Sequence, residues 1–151
     1  MFAFSKSAVH FLNPQEKVRV HQAVKDAEQG NAGELRVFIE GKNKLVDPLA
    51  CAADIFKHYK MHETEQRSGV LIYVAYKHRE FAIFGDVNCV NKFPANFWAT
   101  QAKLLHHNFE NTSYVQGLVQ CIENVQQQFM QHFATTAVKK NELPDEIIFG
   151  K

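Results

Sequence analysis

Glu34, Arg67 and Asp86 stand at the ends of three apolar segments, and their types suit chemistry together. Two carboxylates brought to one place can hold a hard cation such as Ca2+ or Mg2+. Such a cation takes oxygen ligands, and backbone carbonyls, waters and a neighbouring amide such as Asn88 can complete its shell. The same carboxylates can instead pair with Arg67 in a structural network, which is worth little where exposed. They can also work as general acid and base. Ser68, Cys89 and Trp98 lie beside these positions in the chain and are candidates for the wall of a pocket. Spacing alone leaves the three readings open, because no D-x-D-x-D-G loop occurs.

Other constellations are thinner. His58 and His62 are four apart, but the Glu that H-E-x-x-H requires is missing, so they read as a surface pair. His106 and His107 are adjacent and diverge on a helix, and His78 belongs to a turn. G-x-S-x-G and G-x-x-x-x-G-K are both absent. Cys51 and Cys121 sit inside helical apolar patterns and read as reduced core thiols, whereas Cys89 lies near the polar cluster with no base apparent beside it.

The elements must bring these residues together. Asn13-Pro14-Gln15-Glu16 has the cap, first-turn proline and acid of a helix start, and Val20, Ala23, Val24 and Ala27 follow on one face. Gly33 to Glu40 alternates as a strand. Asp47-Pro48 starts a second helix, with Leu49, Ala52, Ala53 and Phe56 expected inward. Val70 to Tyr76 is continuously apolar, as in a central strand buried on both faces. Lys77-His78-Arg79 is the expected turn into a return strand, Glu80 to Phe84. Pro94 is expected to open a third helix, and Asn111-Thr112-Ser113 to break it and cap a fourth. Residues 135–151 read as an irregular tail, with Leu143, Ile147, Ile148 and Phe149 docking on the body.

This order, α-β-α-β-β-α-α, predicts one α/β domain over residues 11–149, after a short N-terminal extension. It is a three-layer α/β/α sandwich around a mixed sheet. The strand–helix–strand crossover makes two parallel neighbours and the hairpin adds an antiparallel strand. Glu34, Arg67, Ser68 and Asp86 then converge at one end of the sheet, with Asn88 and the segment to Trp98 over them.

The bulk numbers narrow the function. The chain has 151 residues, 46% of them hydrophobic and 22% charged, with 13 Phe, so it can bury a core without staples. The formal net charge is +1 and like charges do not cluster, which excludes a nucleic-acid or anionic-membrane footprint. The longest apolar run is far short of the roughly 20 residues a membrane span needs, and no secretory signal is apparent. These features predict a cytosolic protein, monomeric and without an organic cofactor.

The segments FLNPQEK, GELRVFIE, QRSGVLIYVAYKHREFAIFGD, FPANFW and NELPDEI together resemble the TPM-domain family, in its short soluble bacterial branch. The likeness spans residues 11 to 149. It implies an α/β/α sandwich, a phosphatase label, and divalent-cation binding in several members. Carried onto this chain, the acid of the GE strand is Glu34, the arginine of R-x-G is Arg67 and the aspartate of GD is Asp86. Two departures stand out. The Gly-containing turn that commonly follows GD is replaced by Val87-Asn88-Cys89-Val90. The acidic residue before the third helix is absent, with Asn96 in FPANFW. Both thin the oxygen-rich loop a metal would use. The expectation is a binding module whose sheet edge holds a divalent cation or a peptide partner. The alternative is a cation-assisted acid phosphatase with Asp86 and Glu34 on the metal and Arg67 on the phosphate.

Overall fold

The computed structural model describes residues 10–43, 47–111, 114–137 and 143–150. Asn13 caps the first helix, α1 (Pro14–Ala27), through a reciprocal box: its side chain accepts from the Glu16 amide at 2.8 Å and its amide donates to the Glu16 carboxylate at 2.9 Å. Val20, Val24 and Ala27 form the buried face. The alternating segment is strand β1 (Glu34–Glu40). Asp47 caps α2 (Pro48–His58) by accepting from the Leu49 amide at 3.1 Å. The buried residues of α2 are Cys51, Ala52 and Phe56. Leu49, expected inward, is instead 50% exposed, because the cap places it in the first turn on the outer side.

The apolar run is β2 (Gly69–Ala75), buried throughout, and β3 (Glu80–Gly85) returns after a turn over residues 76–79 in which Arg79 has φ 52°. The sheet order is β3-β2-β1-β4. β1 and β2 run parallel with Glu34 opposite Gly69, and β2 and β3 run antiparallel with Val70 opposite Gly85. The fold is an α/β/α sandwich with a mixed central sheet.

Two elements differ from the sequence expectation. A six-residue helix, α3 (Val87–Lys92), starts directly after Asp86, and Pro94 lies in the turn before the next helix, α4 (Phe97–Asn111). One and a half turns are too short to show a periodic apolar face. The tail contributes β4 (Ile148–Phe149), parallel to β1 with Phe38 opposite Ile148. The last helix is α5 (Tyr114–Phe133). The expected break at Thr112 and Ser113 lies outside the described residues.

One face of the sheet carries the larger core, with Leu35, Val37 and Ile39 packed against Val24, Leu118, Ile122 and Phe129 of α1 and α5, and with Leu105 of α4. The other face packs Phe38, Leu71 and Tyr73 against Ala52 and Phe56 of α2 and Leu143 of the tail. A buried polar network completes this second layer. The Tyr73 hydroxyl donates to Glu40 Oε2 at 2.5 Å, and Cys51 Sγ lies 3.3 Å from that hydroxyl. Burial, first, and these hydrogen bonds push the Tyr73 phenol up from its ordinary pKa.

Candidate functional site

Sheet topology brings three chain segments to one end. The Glu34 amide donates to the Ser68 carbonyl at 3.2 Å, and the Asp86 amide to the Gly69 carbonyl at 2.9 Å. The starts of β1 and β2 and the end of β3 therefore lie side by side, as the parallel crossover and hairpin require.

Their side chains divide into two groups. Arg67 and Asp86 form a bidentate pair, with Nε to Oδ2 and Nη2 to Oδ1 both at 2.8 Å. Asp86 Oδ1 also accepts from the Val87 amide at 2.7 Å and so caps α3. The Arg67 side chain is 49% exposed and that of Asp86 only 5%. Hydrogen bonding to Asp86, and then its charge, hold the Arg67 guanidinium above its usual pKa. Arg67 has φ 49°, a left-handed conformation that non-glycine residues seldom adopt. The Asn88 amide donates to the Gln66 carbonyl at 2.7 Å and its backbone to the Arg67 carbonyl, binding α3 to the loop that carries the arginine.

Glu34 turns away from this pair. It is fully buried, and its carboxyl hydrogen-bonds to that of Glu28, which also bonds to Asp145. Glu28 accepts from the Leu35 amide at 2.7 Å. Burial first, then the Asp145 bond and the charge of Glu34, push the Glu28 carboxyl up to about 10. Arg36 is adjacent, with its guanidinium 5.7 Å from the ring of Tyr59. Glu28 and Asp145 were not singled out from sequence. The acid at the helix end and the one in NELPDEI carry no spacing that links them, and only the docked tail does so.

The remaining candidates are placed as follows. Ser68 is fully buried, with its hydroxyl donating to the Ala32 carbonyl at 2.7 Å. Cys89 is fully buried in the larger core, and desolvation, first, pushes its thiol up to about 12. Trp98 is half-buried, stacked on Phe93 at 5.4 Å, and its ring lies over Gly85 so closely that a Cβ there would sit 2.2 Å from it. Gly33 is similarly pressed against Phe129, with 2.3 Å for a Cβ. The glycines of the GE and GD pairs are thus sites of close ring approach.

Arg67 and Asp86 border a cleft of about 270 Å3 between α2 and β3, which Phe56, Lys57, His62 and Phe84 also line. Among the described residues no group of three or more His, Cys, Asp or Glu is arranged to hold a metal ion. No described helix is long and apolar enough to cross a membrane.

The sequence matches the family model described as the TPM domain over residues 6–128. The BA42 protein of the psychrophilic bacterium Bizionia argentinensis, solved by NMR, is 33% identical, with 93% of this chain and 96% of that one covered at a TM-score of 0.84. The N-terminal domain of the cg2496 protein of Corynebacterium glutamicum shares the fold at 9% identity and TM-score 0.66, with 94% and 93% covered. An N-terminal domain from P. gingivalis does so at 13% identity and TM-score 0.65, with 83% of each chain covered. No curated protein matches the sequence. With its family model covering most of its length, the chain belongs to the TPM domain family.

Proposed function

We propose that this protein is a cytosolic, monomeric, non-catalytic binding module that works at the Arg67–Asp86 end of its sheet. There Asp86 takes up a divalent cation, Ca2+ or Mg2+, in exchange for the Arg67 guanidinium. The observation that carries this reading is the pair itself. A shielded carboxylate faces a cleft, and its counter-ion rides on a half-exposed side chain that can swing away. Asp86 and Asn88 fit a hard cation in oxygen type, but they are few, so waters complete the shell and the affinity falls in the weak, roughly millimolar range. Glu34, engaged with Glu28, is not a ligand in this arrangement. The three cysteines are buried and not joined in disulfides, which suits a reducing compartment.

The second reading, a cation-assisted acid phosphatase, draws on the basic rim of the cleft, where Arg67 and Lys57 would meet a phosphate. Among the described residues lining the cleft there is no serine, threonine or cysteine to act as nucleophile. The Ser68 hydroxyl is committed to Ala32 and the Cys89 thiol is enclosed and held protonated.

The test is a titration of 15N-labelled protein with Ca2+ and then Mg2+. Saturable shifts at residues 67–69 and 85–89, absent in Asp86→Asn, are expected. No shift at about 10 mM metal would sink the cation. Hydrolysis of p-nitrophenyl phosphate that is lost in Asp86→Asn and kept in His58→Ala would favour the enzyme.

A further inference from the structure

We infer that the cleft between α2 and β3 is a recognition site for a single carboxylate on a short apolar stem, as a glutamate side chain of a partner peptide presents it. The inference names the partner chemistry of the binding module and rests on that reading. Three observations carry it.

The first is charge. Lys57, Arg67 and Asp86 line the cleft together with His62. Two cations, Lys57 and Arg67, face one anion, Asp86, and the balance of these three is a single positive charge. That suits a monoanion better than a dianionic phosphate.

The second is size and surface. At about 270 Å3 the cleft is below the usual 300–1,000 Å3 of small-molecule sites. It is large enough for one side chain. Phe56 and Phe84, tilted to each other at 4.9 Å, provide an apolar wall for the methylenes of a stem.

The third is the loop that delivers the arginine. Arg67 holds φ 49°, and Lys60, at the start of the same connection, holds φ 56°. Such conformations are strained at non-glycine residues and persist where the surroundings enforce them. Here the Arg67 amide donates to the Thr64 carbonyl and its carbonyl accepts from Asn88, so the strained residue is pinned on both sides. Asp86 takes the Nε and Nη2 of its guanidinium, which leaves the half-exposed Nη1 side of the same group to meet a carboxylate entering the cleft.

The experiment uses the full chain with EDTA present. The probes are acetyl-Ala-Glu-Ala-amide, its Gln counterpart, and inorganic phosphate. Saturable NMR shifts at Lys57, His62, Arg67 and Phe84 are expected with the Glu peptide. Binding should be about tenfold weaker with the Gln peptide, and weaker again with phosphate. Lys57→Glu, at an exposed position on α2, should lose Glu-peptide binding while its spectrum elsewhere is unchanged. Equal response to Glu and Gln peptides, tighter binding of phosphate, or no saturable shift with any probe would overturn the inference. Because no divalent cation is present, failure of the cation titration leaves this result standing. Loss of the peptide response with the cation response intact refutes the carboxylate site alone.

Discussion

Glu28 is the residue whose chemistry departs furthest from its type. Its carboxyl keeps a proton in the fold up to a pH of about 10, whereas the unfolded chain releases it near 4.5. Its contribution to stability is therefore fully present below pH 4.5 and declines as the pH rises toward 10. We expect Glu28→Gln to raise stability at pH 8 by on the order of 1–3 kcal/mol, and to have little effect at pH 4. Denaturant melts at both values check this; equal effects would mean the carboxyl is ionised in the fold. Asp86 behaves differently. As the cap of α3, its replacement by Ala should cost about 1 kcal/mol, measurable by the same melts, and Asp86→Asn should recover part of that. The importance of Glu34, Arg67 and Asp86 was readable from their places at strand ends. That Glu34 would bond to Glu28 was not, because the contact depends on how the end of α1 meets the start of β1.

Among the elements, α1 and α2 were readable because each opens on a cap followed by proline, and the hairpin because its apolar runs end at charged turn residues. α3 and β4 were not, since six and two residues carry no period. The contact of α4 with the end of β3 makes a sharper test. Trp98 lies on Gly85 with no room for a methyl group. Gly85→Ala should destabilise by about 2–3 kcal/mol, and the double variant Gly85→Ala/Trp98→Ala by less than the two single variants summed. Additive losses would show that the ring is free to move aside. The packed glycine was visible only as a motif letter, because the ring that needs it comes thirteen positions later on another element.

The whole molecule is a sheet with unequal layers. Helices α1, α3, α4 and α5 contribute to the larger core on one face, and α2 with Leu143 and Ile148 of the tail covers the other. Native-state hydrogen exchange should reflect this asymmetry. Amides of α2 are expected to exchange through a partial opening that leaves α1 and α5 protected, at a free energy below that of global unfolding. A single exchange free energy for all helices would contradict it. The sheet margins are unequal as well. On the β1 side the Leu35 amide is held by the Glu28 carboxyl, β4 is two residues long, and the Gly150 amide closes on the Ile39 carbonyl. Among the described residues the longer open margin is that of β3, six residues against the two of β4, so an incoming strand would find its longest run of backbone groups there.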